Sequence, residues 1–180
     1  MDHVEPTRGN FGWSDTPWAL RDILIRVNRE YSQLPIYITE NGTSHVDEVN
    51  EDGLVDDPLR IDYLAGYIHG IGEAIAAGVP VRGYFIWSFM DNFEWSWGFE
   101  KRFGIVYVDF LTKKRIVKSS GIWLKTLLGQ LKQSHRSQSL FQQSSEFQSE
   151  HEVNRFAHPP LYLQLQYLLL QFQSLKNLAT

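Results

Sequence analysis

Carboxylates and indole rings follow two apolar runs in this chain. Glu40 comes directly after the run 36–39, and the segment 87–98 contains three tryptophans and two acidic residues. The face of an indole ring carries negative charge and attracts the C–H faces of a sugar ring. A carboxylate such as Glu94 accepts strong hydrogen bonds from neighbouring hydroxyls. These residue types predict a binding site for a pyranose ring, with Glu40 close to it.

Each of these residues also has an ordinary structural interpretation. Trp87 could lie in the hydrophobic core, and Glu94 could accept hydrogen bonds from backbone N–H groups of its own loop. Thr39–Gly42 could be a simple turn in which Asn41 and Gly42 supply unusual backbone angles. The residues taken singly leave both interpretations open.

Composition excludes several other kinds of chemistry. The chain has no cysteine, so it has neither a disulfide nor a thiolate site, and no two of its six histidines have the spacing of metal ligands on one element. Gly70–Gly72 lies inside a predicted helix and not between a strand and a helix, as a phosphate loop requires. A net charge of −4 offers nothing to attract polyanions. We therefore expect no metal and no nucleic-acid partner.

The N-terminal residues do not resemble a targeting segment. Met1–Glu5 lacks a basic region followed by an apolar core, and no run of about 18 apolar residues occurs in the chain. We therefore expect a cytoplasmic protein with no membrane partner.

Apolar periodicity predicts three helices and two strands that would hold these groups. Pro17 suits the first turn of a helix, and Asp57 with Pro58 suits the start of another. The connections are long enough for parallel strands, which place their C-terminal ends at one edge. The predicted elements are a helix from Pro17, a strand over 36–39, a helix from Pro58 to Gly78, a strand over 81–88 and a helix over 119–128.

The composition changes at Gly129. All 13 glycines and all 6 tryptophans lie at or before this residue. Residues 130–160 are rich in serine and glutamine and are expected to be disordered. The apolar extension 161–180 fits both strand and helix periodicity, and we interpret it as a helix. It could bind a partner or be a marginal extension with no function.

Five motifs follow one another along the chain: Tyr37–Gly42, Gly83–Ser88, Asp91–Trp95, Arg102–Phe110 and Lys114–Arg115. Together they resemble family 1 of the glycoside hydrolases, and bacterial-type β-glucosidases in particular. The resemblance covers Gly12 to Leu128. It implies an α/β fold, namely the C-terminal part of a (β/α)8 TIM barrel with about two βα units in residues 1–129.

The resemblance also implies roles for five residues. Glu40 would be the catalytic nucleophile, and Trp87 would be the platform on which the sugar stacks. Glu94 would accept hydrogen bonds from the hydroxyls at positions 4 and 6, and Trp95 would make a further hydroxyl contact. Phe103 would line the same pocket.

The implied reaction is retaining hydrolysis of a β-glycoside without any cofactor, because two carboxylic groups suffice for this mechanism. Members that act on 6-phosphorylated sugars differ at the position of Glu94, where a carboxylate would repel phosphate. The expected ligand is therefore a neutral β-glucoside or a related small saccharide.

The chain departs from the family in two ways. A complete barrel needs about 250 residues and eight strands, whereas two strands are predicted here. The family's acid/base glutamate lies in an Asn-Glu-Pro motif, and this chain has only the dissimilar Val4–Pro6. We therefore expect the isolated chain to be nearly inactive and to need a complementing N-terminal barrel segment. The alternative is a non-catalytic remnant, or a protein that binds sugars or mediates association.

Overall fold

A computed structural model describes the backbone of residues 9–146 and the side chains of residues 9–133. The predicted order of three helices and two strands is confirmed, and a short hairpin and a 3-10 helix are added between the second strand and the last helix. None of the helices within residues 9–146 combines the length and apolar character needed to cross a bilayer. The elements are α1 (Pro17–Glu30), β1 (Ile36–Asn41), α2 (Pro58–Ala76), β2 (Val81–Ile86), a 3-10 helix (Trp95–Trp97), β3 (Val106–Val108), β4 (Arg115–Val117) and α3 (Ser119–Glu146).

The two long strands pair in parallel, as predicted. Ile36 lies opposite Val81, and Asn41 lies opposite Ile86. Helices α1 and α2 cover one side of the pair, and their shared core contains Leu24, Ile71, Ala74 and Val79. Burial of these apolar side chains is the main force that holds the helices to the sheet.

Helix α1 approaches α2 closely because small residues lie at the contact. A Cβ on Gly70 would come within 2.8 Å of the carbonyl oxygen of Pro17. Pro17 begins α1, as predicted. The end of α2 also agrees with the prediction, since Gly78 follows it with a φ of +91° that a side chain would disfavour.

The hairpin of β3 and β4 is antiparallel and was not predicted. Each strand has only three residues, too few to show alternation along the sequence. The carboxylate of Asp109 accepts hydrogen bonds from the backbone N–H of Leu111 at 2.9 Å and of Thr112 at 3.2 Å, which closes the turn. A second core, formed by Leu64, Ile105 and Val106, attaches the hairpin to α2.

Helix α3 is longer than predicted. It was expected to end near residue 128 and to be followed by a disordered segment over 130–160, but it continues to Glu146. Residues 130–146 contain no glycine or proline to stop a helix, and glutamine, leucine and lysine are good helix formers. Residues 147–160 and the apolar extension 161–180 lie outside the described residues.

Candidate active site

The C-terminal ends of β1 and β2 meet where two of the predicted site residues lie. The backbone N–H of Trp87 donates to the carbonyl of Asn41 at 2.9 Å. Gly42 follows at once, and a Cβ there would lie 1.7 Å from the carbonyl oxygen of Trp87. Only glycine allows the two backbones to approach so closely. Glu40 and Trp87 therefore lie at the same end of the strand pair.

Glu40 lies within an irregular part of β1. The pairing shifts between Ile38, opposite Tyr84, and Asn41, opposite Ile86. Such irregularities re-aim side chains and often occur beside active sites. The side chain of Glu40 is exposed and makes no hydrogen bond or ion pair with any side chain or backbone group of residues 9–133. Its carboxylate is thus open to a ligand.

Asn41 fixes the end of the strand beside Glu40. Its side-chain amide donates to the hydroxyl of Tyr63 at 3.1 Å, and its side-chain oxygen accepts from the hydroxyl of Tyr84 at 2.8 Å. Burial raises the pKa of both phenols well above the ordinary value, so both stay protonated at neutral pH. This neutral arrangement holds the backbone of β1 without engaging Glu40.

The segment after β2 is a closed loop. Its first and last parts are joined because the N–H of Ser88 donates to the carbonyl of Phe103 at 3.1 Å, and that of Ile105 donates to the carbonyl of Ser88 at 3.0 Å. The Trp87–Ser88 peptide bond is cis. The side chain of Trp87 is 38% exposed, so it is not the fully buried core residue that the ordinary interpretation would require.

Glu94 and Trp95 lie at the tip of this loop. Glu94 is half-buried and precedes the 3-10 helix, where its N–H donates to the carbonyl of Gly98 at 2.6 Å. Trp95 has a φ of +43°, and its side chain is 83% exposed. A left-handed backbone at a bulky residue costs about 1–3 kcal/mol. The loop therefore holds a strained tryptophan with its ring in solvent, which suits a ligand contact.

Phe103 is the buried member of the five predicted site residues. It is 5% exposed, and its ring centroid lies 5.7 Å from that of Phe11. It lines a pocket together with residues 42–44, Tyr63 and Tyr67. The lining of that pocket includes Phe103 but not Glu40, Trp87, Glu94 or Trp95.

A buried network of charged side chains lies beneath these loops and was missed by sequence reasoning. Asp57 does begin α2, as predicted, but its carboxylate does not cap that helix. It accepts instead from the backbone N–H of Ser120 at 2.7 Å and from the hydroxyl of Ser120 at 2.6 Å, at the start of α3. The only sequence signal was the spacing of Asp57 and Arg60, three residues apart on α2. We call the set the ion network; it consists of Asp47, Asp57, Arg60, Asp91, Arg102 and Lys118.

Burial changes the protonation equilibria around the ion network. It lowers the pKa of Lys118, helped by the charge of Arg60 and opposed by Asp47 and Asp91. Burial, together with the charge of Arg60, also lowers the pKa of His45. Among the side chains that the structure describes, those of residues 9–133, no group of three or more potential metal ligands comes together.

Comparison with known proteins connects these elements to one family. A family model described as glycosyl hydrolase family 1 matches residues 2–133. Beta-glucosidase A of Thermotoga maritima is 52% identical over 117 residues, which are 65% of this chain and 26% of that protein. A 6-phospho-beta-galactosidase of Lacticaseibacillus rhamnosus is 43% identical over 131 residues, covering 70% of this chain and 27% of that protein.

Solved structures agree with the sequence matches. The family 1 β-glucosidase from Thermotoga maritima in complex with isofagomine lactam superposes with a TM-score of 0.68 and 48% identity, over 71% of this chain and 29% of that one. The same enzyme has been solved in complex with glucoimidazole, with a TM-score of 0.68. The chain spans about a quarter of the length of the curated relatives that it matches.

Proposed function

The chain belongs to glycosyl hydrolase family 1, and on this premise we propose that it supplies the nucleophile and part of the sugar site for retaining hydrolysis of O-glycosidic bonds in neutral β-glycosides. The observation that carries the proposal is the meeting of two strand ends. An unpaired carboxylate, Glu40, and a half-exposed indole, Trp87, lie at the C-terminal ends of adjacent parallel strands, at the same edge. Active sites of β/α barrels form at this edge.

In the proposed reaction, the carboxylate of Glu40 donates an electron pair to the anomeric carbon. The glycosidic C–O bond breaks as an acid gives its proton to the leaving oxygen, and a covalent glycosyl-enzyme forms. Water, deprotonated by the same acid/base group, then attacks the anomeric carbon and releases both the sugar and the carboxylate. The open, unpaired environment of Glu40 suits a nucleophile, since no hydrogen bond needs to be broken first.

The loop after β2 supplies the proposed sugar contacts. The ring of Trp87 stacks on the C–H face of the sugar, and the carboxylate of Glu94 accepts from the hydroxyls at positions 4 and 6. Trp95 contributes a further hydroxyl contact from the exposed loop tip. We propose that Phe103 lines the same sugar pocket; it shares a pocket lining with residues 42–44, which follow the proposed nucleophile.

The charge of Glu94 favours a neutral sugar. The relatives include both β-glucosidases and 6-phospho-β-galactosidases, so family membership leaves this choice open. A carboxylate that accepts from the 6-hydroxyl would repel a phosphate group at the same position. We propose that unphosphorylated β-glycosides are the substrates.

The acid/base group must come from elsewhere in the barrel. The sequence has no Asn-Glu-Pro motif, and a retaining glycosidase needs a second carboxyl group about 5–5.5 Å from the nucleophile. General acid assistance contributes about 10²–10⁴-fold to the rate. We therefore propose that this chain acts together with a complementing N-terminal barrel segment and has negligible activity without one.

Complementation tests this proposal. The chain is co-expressed with the part of Thermotoga maritima beta-glucosidase A that precedes the matched region, and hydrolysis of an aryl β-glucoside is measured. We expect hydrolysis that Glu40→Gln lowers by about 10³-fold or more and that Glu100→Gln, at an exposed acid in the loop after β2, leaves unchanged. Equal activity of Glu40→Gln would refute the assignment of the nucleophile. A complex that forms but does not hydrolyse would favour the non-catalytic alternative.

A further inference from the structure

We propose that Arg60 is a positioning residue that holds the loop after Glu40 and the loop carrying Glu94 in a fixed relation. This inference rests on the proposed function, because it concerns the geometry of the same site. It assigns a role to a residue on α2 that contacts neither the nucleophile nor the predicted sugar contacts.

The guanidinium of Arg60 bridges the two loops through backbone carbonyls. Its Nε donates to the carbonyl of Thr43 at 3.4 Å, and its Nη2 donates to the carbonyl of Arg102 at 2.8 Å. Thr43 follows Glu40 by three residues, and Arg102 directly precedes Phe103. One rigid planar group thus connects the loop after Glu40 to the end of the loop that carries Glu94.

Two carboxylates fix Arg60 in place. Asp47 accepts from Nη1 at 3.1 Å and from Nη2 at 2.9 Å, and Asp57 accepts from Nη1. With Thr43 and Arg102, these contacts make five hydrogen bonds, and a guanidinium has five N–H donors. Every donor is therefore used, and the side chain is only 1% exposed. Hydrogen bonds and charge from Asp47 and Asp57 raise the pKa of Arg60 despite its burial.

A second route connects the same two loops. Lys118 donates to Asp47 and, at 2.8 Å, to Asp91. Asp91 in turn accepts from the backbone N–H of Gly104 at 3.0 Å and from the guanidinium of Arg102 at 2.7 Å. The three carboxylates and three cations of the ion network balance in charge, and both routes converge on the segment 102–104.

The position of Glu94 relative to Glu40 depends on the bridge made by Arg60, because strand pairing fixes only part of the site. The pairing of β1 with β2 places Glu40 beside Trp87, but Glu94 lies seven residues farther along the loop. A buried ion pair can often be replaced by apolar residues without loss of stability. Burial of Arg60 requires partners for all five of its donors, and two of these partners are backbone carbonyls, one in each loop. A displacement of about 1 Å in a catalytic geometry can cost about 100-fold in rate.

Spin labels test the bridge without relying on activity. The chain has no cysteine, so Val46→Cys and Ser96→Cys accept labels only at these two exposed sites, one in each loop. Arg60→Lys keeps the charge but offers three donors in place of five. We expect the distance distribution between the labels, measured by pulsed electron paramagnetic resonance, to become at least about twofold wider in Arg60→Lys. Arg26→Lys, at an exposed arginine of α1, should leave it unchanged.

An unchanged distribution in a folded Arg60→Lys variant would overturn the proposal. Should that variant fail to fold, Asp47→Asn, which preserves the shape of the carboxylate, is labelled and measured in the same way. Failure of both variants to fold would assign the bridge to stability alone and would also overturn the proposal.

Kinetics in the complemented barrel provide the second readout. We expect Arg60→Lys to raise KM for the aryl β-glucoside about tenfold, because displaced loops weaken the contacts of Glu94, whereas Arg26→Lys leaves KM unchanged. A smaller folded fraction would lower the apparent kcat and leave KM as it is. An inactive wild-type complex would refute the proposed function, and the label distances would still decide the role of Arg60.

Discussion

At the scale of single residues, the position of Glu40 depends on its neighbours Asn41 and Gly42. Asn41 is held by two neutral phenols, and Gly42 lets the backbone of Trp87 approach. The motif that contains Glu40 is therefore a structural unit as well as a chemical one. Replacing a neighbour should disturb the site although the proposed nucleophile remains.

Gly42→Ala should strongly destabilise the protein. The added methyl group would overlap the carbonyl oxygen of Trp87, which is backbone and cannot turn away. We expect a loss of about 3 kcal/mol or more in the free energy of unfolding, measured by urea denaturation. Gly129→Ala is the control, since Gly129 lies in α3 with nothing within 4 Å of the new atom. That substitution should stabilise the protein by about 1 kcal/mol, and equal effects of the two variants would contradict this interpretation.

At the scale of elements, a buried side chain connects the N-terminus of α2 to the N-terminus of α3. Asp57 directly precedes α2, but its carboxylate accepts hydrogen bonds from Ser120 in the first turn of α3. The helix dipole also favours a negative charge at that end of α3. Local sequence correctly predicts where α2 begins. It does not show which helix the carboxylate stabilises, because Ser120 lies 63 residues away.

Asp57→Ala should cost about 3–5 kcal/mol of unfolding free energy. The substitution leaves the charge of Arg60 with one carboxylate fewer and removes both acceptors of Ser120. The neighbouring Asp56→Ala is the matched control, because Asp56 is exposed and bonds only the hydroxyl of Ser119, at 2.8 Å; it should cost about 1 kcal/mol or less. Urea denaturation of both variants measures the difference, and similar losses would show that the buried link is unimportant.

At the scale of the whole molecule, the described part of the chain exposes surfaces that a barrel would cover. Within residues 9–146, β1 and β2 pair only with each other, so each leaves one edge open. Tyr37 and Phe85, on these strands, are 58% and 57% exposed. Open edges and exposed aromatic rings match the proposal that further barrel strands complete the structure.

Complementation should therefore bury apolar surface. We expect the chain to bind the dye anilinonaphthalene sulfonate and to lose most of this binding when the N-terminal segment of Thermotoga maritima beta-glucosidase A is present. Phe85→Glu should weaken binding of the N-terminal segment at least about tenfold, because a charge would be buried in the interface between the two chains. Leu111→Glu, at the 93% exposed turn of the hairpin, should not. Equal binding of the N-terminal segment by both variants would show that β1 and β2 do not form the interface with it.

Much of the architecture could be predicted because it is encoded locally. Pro17, Pro58 and the helical spacing of apolar residues mark α1 and α2, and the apolar run 81–88 marks β2. The three-residue strands β3 and β4 carry too little pattern to be seen. The predicted end of α3, near residue 128, comes too early. The serine and glutamine of residues 130–146 favour disorder, but the absence of glycine and proline there allows the helix to continue.

The sequence by itself determined the family and the chemical identity of the candidate residues, since motifs such as Tyr37–Gly42 are contiguous and keep their order. Only the tertiary structure decided that Glu40 and Trp87 lie at the same end of the strand pair, that Phe103 is buried, and which charges are paired. Asp47 lies 13 residues from Arg60 and 71 residues from Lys118. Such pairs form because isolated charges cannot be buried without partners, and the choice of partner depends on which segments the fold brings together.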